Sequence, residues 1–313
     1  MIDQELPPAI YLMGPTAAGK SALAVAVAQH KNCEIISVDS VLVYRGMDIG
    51  TAKPTLNERA GIKHHLIDIL DPAQAYSTAQ FRNQALDLMA DITRRGKIPL
   101  LTGGTMLYFH ALFNGLVDLP EANQQIRFEL DAQAKRTSWQ AMHQRLHDID
   151  PESAARIHPN DPQRIQRALE VFEITAKTIS QHFLEAEQEA PRYRGIKIII
   201  APEDRPILHQ KIALRFQQML AQGLLAEVER LYQRPDLSDQ KPAIRAVGYR
   251  QVWQYLQGDY DYQTMTEKAI VATRQLAKRQ FTWLRKIDDA RWYEAENIDL
   301  KAKILSNLKD VGI

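Results

Sequence analysis

The stretch Ala9-Ile10-Tyr11-Leu12-Met13-Gly14-Pro15-Thr16-Ala17-Ala18-Gly19-Lys20-Ser21 decides the fold of this 313-residue chain. Its first five residues form an apolar run too short for a buried helix, and they predict a buried strand. Gly14–Ser21 then matches G-x-x-x-x-G-K-[ST], and Leu23, Ala24, Val27 and Ala28 follow with helical spacing. A strand, a glycine loop and a helix start in that order make a phosphate cradle. The glycines let consecutive N–H groups converge on a polyphosphate, and the helix N-terminus adds about half a positive charge. Gly14, Pro15, Thr16, Ala17, Ala18, Gly19, Lys20 and Ser21 are therefore the expected diphosphate-binding residues. Lys20 is expected to neutralise terminal phosphates, and the Ser21 hydroxyl to ligate Mg²⁺. The motif does not distinguish a diphosphate from a triphosphate.

Working outward, Glu34–Val38, Ile98–Thr102 and Ile196–Ala201 are further apolar β runs. Phe81, Ala85, Leu88 and Ile92 recur with helical spacing between two of them, behind a Ser77/Gln80 capping box. From about 112 to 190 the strand signal disappears. There Ile165, Leu169 and Phe172 share a helical face behind Asp161 as N-cap and Pro162 at the first helical position. The pattern predicts an α/β fold, a P-loop NTPase-like parallel sheet flanked by helices, with an all-helical insertion. The expected domains are a catalytic core over 1–111 and 191–313 and an insertion over 112–190. Residues 204–287 are expected to be helical, with Gly223 ending one helix and a short helix near the C-terminus.

Composition bounds the rest. There are 39 basic and 38 acidic side chains, a formal charge of +1, but the average conceals a stretch, 241–286, with 9 basic against 3 acidic residues. A single cysteine, Cys33, allows no internal disulfide, fits a reducing compartment and is expected to be a small buried side chain. No run approaches the length of a membrane span, and Met1–Met13 shows no secretory signal, so a cytoplasmic location is expected. Adjacent His64 and His65 are not expected to chelate one metal. Trp139, Trp253, Trp283 and Trp292 are expected in the core.

Two more strand ends converge on the loop. Asp39 follows Ile35-Ile36-Ser37-Val38 at a carboxyl end, where ligands of open α/β sheets bind. It could be a general base, a metal ligand or an Asx-turn cap. Gly103-Gly104-Thr105 follows Leu100-Leu101-Thr102, and two glycines there let backbone approach a ligand closely.

Gly14–Ser21, Val38-Asp39-Ser40, Tyr44 through Pro54, His64 through Asp68, Gly103-Gly104-Thr105-x-Leu107-Tyr108, Asn160 through Glu170 and Ala246-Val247-Gly248-Tyr249-Arg250 together resemble the tRNA dimethylallyltransferase family. Leu42 departs from the family's Asp-Ser-x-Gln form, and Met106 stands where Gly is common. The resemblance implies transfer of a dimethylallyl group from dimethylallyl diphosphate to N6 of adenine-37, beside the anticodon of tRNAs reading codons that begin with U. Asp39 is the candidate base for that amine, with Thr16, Lys20, Arg215 and Mg²⁺ on Ser21 stabilising the departing diphosphate. For Arg215 a solvated helix charge is the alternative. The resemblance also implies tRNA contacts at Asp39, Ser40, Val41, Leu42, Thr105 and Arg127.

Basic surfaces supply the remaining tRNA candidates. Thr273, Arg274, Gln275, Leu276, Ala277, Lys278, Arg279 and Gln280 continue to Lys286 with no acidic residue, although an amphipathic core helix with basic sides would show the same run. Gln163, Arg164, Ile165, Gln166 and Arg167 form a second candidate surface, and Arg245, Gly248, Tyr249 and Arg250 a third. The expected partner is a tRNA anticodon stem-loop with its adenine flipped out, bound by a monomer. The competing readings are a P-loop small-molecule kinase, a free-adenylate isopentenyltransferase and a non-enzymatic RNA-binding protein.

Overall fold

The computed structural model describes residues 6–185 and 190–313. The N-terminal reading that concerns residues 1–5, and the part of the insertion at 186–189, lie outside the described residues. Pro8–Met13 (β1), Cys33–Val38 (β2), His64–His65 (β3), Ile98–Gly103 (β4), Arg194–Ala201 (β5) and Arg291–Glu294 (β6) form one sheet in the order β3-β2-β4-β1-β5-β6. Every neighbouring pair is parallel. The predicted strands are all present. The two short edge strands β3 and β6 escape a reading by pattern, because two histidines and Arg-Trp-Tyr-Glu carry no apolar run.

The chain divides into two compact units, one over Met1–Phe113 and Pro191–Ile313 and the other over Asn114–Ala190. The first unit opens with the helices Lys20–Lys31 (α1), Leu56–Arg59 (α2), Thr78–Arg94 (α3) and Met106–Asn114 (α4). The second unit holds Gln124–Thr137 (α5), Trp139–Ile149 (α6), Pro151–Arg156 (α7), Pro162–Thr175 (α8) and Ile179–Glu185 (α9). The chain then returns to the first unit with Arg205–Ala221 (α10), Leu224–Tyr232 (α11), Tyr249–Leu256 (α12), Tyr262–Leu284 (α13) and Leu300–Asp310 (α14). No helix among the described residues is long and apolar enough to cross a membrane.

Alternation along the strands builds two cores, since successive side chains face opposite sides of the sheet. Ile10, Leu12, Ile35 and Leu100 pack under α1, while Met13, Ile36, Val38 and Leu101 pack under α3 with Phe81, Ala85, Met89 and Ile92. The α3 capping box forms as expected, with Ser77 Oγ accepting from Gln80 N–H and the Gln80 side chain accepting from Ser77 N–H. Asp161 caps α8 through its side chain, ahead of Pro162. Gly223, at φ 101°, ends α10 and opens α11. Cys33 is buried, and of the four tryptophans only Trp253 is. Trp283 and Trp292 lie more than a third exposed, a correction to their expected place in the core. Trp283 meets His110 edge to face on the helix surface, and Trp292 sits on the edge strand β6.

Candidate active site and nucleic-acid interface

The phosphate loop is shaped by steric necessity at both glycines. A Cβ on Gly14 would stand 2.2 Å from the Ile200 carbonyl oxygen of β5, so only glycine fits. Gly19 has φ +82° and starts α1, whose first turn carries no acidic residue. Ala17 also occupies the left-handed region, at φ 63°. On the neighbouring strand, a Cβ on Gly103 would stand 2.0 Å from the Val38 carbonyl oxygen, and this close approach pins the ends of β2 and β4 together. Thr105 completes the junction, its Oγ1 accepting from Ser40 N–H at 3.1 Å.

Gln280 of α13 ties these loops to one another. Its Oε1 accepts from Thr16 N–H and its Nε2 donates to the Gly104 carbonyl, both at 2.8 Å. Gln280 is buried, as is Ala277 one turn earlier. Both belong to the run expected to meet tRNA, and both instead hold the fold. The same helix exposes Gln275, Lys278 and Arg279, leaves Arg274 half-buried, and turns Thr273 and Leu276 toward a cavity.

That cavity, about 130 Å³, has Thr16, Asp39, Gly50, Thr51 and Arg215 as its polar wall and Ile212, Phe216, Met219, Val247 and Leu276 as its apolar one. It shares Thr16, Asp39 and Arg215 with a second cavity of about 750 Å³ that contains Lys20, Ser21, Ser37, Leu42, Thr102 and Gly103. Asp39 does two things at once. Its Oδ1 accepts from the N–H groups of Val41 (2.8 Å) and Leu42 (3.3 Å), forming an Asx turn, while Oδ2 has no partner among the described residues. The Leu42 side chain is half-buried against the larger cavity, and Met106 is buried in the core beneath α3.

The cations are desolvated. Burial first, and the positive charge of Arg215 second, push the Lys20 ammonium down to about 7 against the opposing pull of Asp39. Lys20 Nζ donates to the Pro15 carbonyl at 2.6 Å. Burial likewise lowers the Arg215 guanidinium, with Asp39 again opposing. Arg215 Nη2 donates to the Thr51 carbonyl at 3.4 Å, so this arginine faces the cavity and is not a solvated helix charge.

Gly248 and Tyr249 line the smaller cavity as well, although neither is exposed. Tyr249 is fully buried, its hydroxyl donating to Glu227, and Gly248 is buried at φ +93°, whereas Arg245 and Arg250 are exposed. In the helical unit Ile165 is fully buried and belongs to that unit's core, a correction that its place on the Ile165/Leu169 stripe explains. Arg127 grips the buried Glu170 through Nε (2.9 Å) and Nη2 (3.0 Å). Arg167 reaches Glu170 and the Pro120 carbonyl, each at 2.6 Å. Burial raises the Glu170 carboxyl, and these arginines with Asn123 N–H more than reverse that, leaving it below the usual range. Gln166 donates to Arg127 O and Asp131. Only Gln163 and Arg164 of this group are exposed, Arg164 lying 3.4 Å from Asp161.

Glu227 escapes a reading by motif. Its carboxylate accepts from Asp48, Ile49 and Gly50 N–H and from Tyr249, and so holds the segment that walls the cavity. The available signal is an acid on the apolar stripe Leu224, Val228, Leu231. Nearby, buried Lys53 donates to Tyr44 O at 2.8 Å, to Asp48 at 2.6 Å and to Asp68, locking the loop from Tyr44 to Pro54.

A glycine phosphate loop opening a parallel sheet, with a carboxylate just past the neighbouring strand β2 and an arginine of α10 facing the same cavity, defines a P-loop α/β protein built to act on a phosphorylated ligand. Residues 42–287 match the pattern of the family described as IPP transferase, and the chain belongs to that family. It is 57% identical over 294 residues to the tRNA dimethylallyltransferase of Methylococcus capsulatus, covering 94% of each chain. Among solved structures it resembles the full-length tRNA isopentenylpyrophosphate transferase of Bacillus halodurans, with TM-score 0.71, 36% identity and coverage of 97% of this chain and 95% of that one. A eukaryotic dimethylallyltransferase acting on tRNA superposes with TM-score 0.81 at 29% identity, covering 96% and 77%.

Proposed function

We propose that this enzyme transfers a dimethylallyl group from dimethylallyl diphosphate to N6 of adenine-37 in tRNAs reading codons that begin with U. The observation that carries the reading is the continuity of the phosphate loop with an apolar cavity whose polar wall is Asp39 and Arg215. The loop amides, Lys20 and Arg215 receive the diphosphate, and Ile212, Phe216, Met219 and Leu276 enclose the five-carbon chain. The allylic C–O bond breaks and its electron pair leaves on the diphosphate. The adenine N6–C bond forms, and the N6 proton passes to Asp39. The Asx turn occupies Oδ1 and aims Oδ2, so the turn-forming and basic roles of Asp39 support each other. Preorganised cations beside the leaving group stabilise the developing diphosphate charge without reorganisation.

The oxygen-only donors near the loop fit a hard cation. Ser21, with the buried hydroxyls of Ser37 and Thr102 lining the same cavity, suits Mg²⁺. When bound, the ion adds positive charge beside the leaving group. Lys278, Arg279, Arg245, Arg250, Gln163 and Arg164 are assigned to tRNA contact on the strength of their exposure. Incubation of bulk unmodified tRNA with dimethylallyl diphosphate and Mg²⁺, followed by nucleoside mass analysis, is expected to yield N6-dimethylallyladenosine. Absence of that nucleoside refutes the reading.

A further inference from the structure

The sheet face beneath α1 is aliphatic until its last layer. Ile35 and Leu100 are register partners, and two residues further along the same strands Ser37 and Thr102 are partners too. Side chains two apart share a face, so this column changes from aliphatic to hydroxyl where α1 begins. Ser37 is only 3% exposed. Its Oγ and Thr102 Oγ1 are both buried, and neither has a hydrogen-bond partner among the described residues. Both line the cavity that contains Lys20 and Ser21. An unpaired buried hydroxyl is disfavoured against an apolar group of the same shape. Two of them on residues that line one cavity mark a place that ordered water or an ion completes.

We propose that Ser37 and Thr102 hold the water ligands of the Mg²⁺ bound through Ser21, so that metal binding depends on the diphosphate. This rests on the Mg²⁺ reading above. Mg²⁺ demands six oxygens, sheds water reluctantly, and is held by one or two protein oxygens together with substrate phosphates. Ser21 supplies one such oxygen. Waters on the ion are strong donors, and the hydroxyl oxygens of Ser37 and Thr102 are free to accept from them. Among the described residues no group of three or more His, Cys, Asp or Glu side chains could hold a metal. With no such cluster, and with Asp39 assigned to the N6 proton, the diphosphate brings most of the negative charge, and metal and diphosphate bind as a unit.

The test is calorimetric titration of inorganic diphosphate, in EDTA and in saturating Mg²⁺, into the full-length wild type, Thr102→Val and Ser37→Ala. Metal-free affinity is expected to stay within about twofold in both variants, while the gain from Mg²⁺ falls at least about tenfold, as for loss of an outer partner of a metal site. Metal-free Thr102→Val is expected to melt at or above the wild-type temperature, because an unpaired hydroxyl is removed and no bond is broken. An undiminished gain in both variants overturns the proposal. So does an equal loss with and without metal, or a lower melting temperature for metal-free Thr102→Val. If Thr102→Val does not fold, Ser37→Ala carries the same comparison. A wild type indifferent to Mg²⁺ overturns the metal reading itself and this proposal with it.

Discussion

Replacing Glu227 with Gln probes how the cavity wall is held. Glu227 is 2% exposed. Oε2 accepts from Asp48 N–H at 2.9 Å and Ile49 N–H at 2.8 Å, and Oε1 accepts from Gly50 N–H at 3.1 Å and from the Tyr249 hydroxyl. Glutamine has one acceptor oxygen, which retains most if it takes the Oε2 position. Its amide nitrogen then faces Gly50 N–H and Tyr249. The tyrosine hydroxyl can turn to accept, but the Gly50 N–H is orphaned, at about 1–3 kcal/mol. The two surviving bonds lose charge assistance worth about 1 kcal/mol each. A neutral amide is cheaper to bury than a carboxylate, which offsets part of this. The net expectation is about 2–3 kcal/mol of lost stability by urea unfolding. Tyr249→Phe removes one of four donors and costs about 1 kcal/mol on the same scale. Gly50 and Thr51 line the cavity, and Arg215 donates to Thr51 O, so the donor KM rises in Glu227→Gln. Stability within about 0.5 kcal/mol of wild type together with an unchanged KM would refute the argument, because about 0.5 kcal/mol is below the cost of even one orphaned N–H.

Asp39→Asn is expected to lower the single-turnover rate by about 10²–10⁴-fold while tRNA affinity, measured by filter binding, is retained; an unchanged rate removes Asp39 from the chemistry. Replacing the exposed Lys278 and Arg279 by Gln is expected to weaken tRNA binding and to flatten its log–log salt dependence by about 0.7–0.9 for each phosphate that goes unneutralised, with an unaltered slope excluding that face. Lys20, pushed down to about 7 in the free enzyme, is expected to regain its proton beside a bound diphosphate. Donor affinity then falls as pH rises above 7, with uptake of roughly one proton per site at pH 8 and little at pH 6. Calorimetry in buffers of different ionisation enthalpy reads that uptake directly, and none at pH 8 would contradict it.

What can be read from the sequence follows the strength of the local signal. β1, β2, β4 and β5 are buried on both faces and appear as apolar runs, so the sheet and its phosphate loop are legible. β6 lies at the edge with Trp292 and Arg291 exposed, and β3 has two residues, so neither carries a pattern. Asp39 is legible because it ends a strand, and Arg215 only through a resemblance. Ile165 is misassigned when read as part of a basic motif, although its spacing with Leu169 already places it on the core stripe. Glu170 and Glu227 lie on buried helical faces, and apart from Arg167, one turn before Glu170, their partners are many residues away, so their roles depend on tertiary contacts.

Helix α13 shows why a basic run alone is ambiguous. Its core-facing Ala277 and Leu284 fix its position, and Gln280 then braces Thr16 and Gly104 from that fixed position. Thr273 and Leu276 line the cavity, while Lys278 and Arg279 remain outside it. The two readings of the run, core helix and polyanion surface, therefore describe different faces of one element. The braced face gives them a physical connection. Lys278 and Arg279 stand on the same helix whose Gln280 accepts from the phosphate-loop Thr16 N–H. Removing the Gln280 brace would free that N–H and the Gly104 carbonyl at once, and would disturb the diphosphate cradle without removing a surface charge.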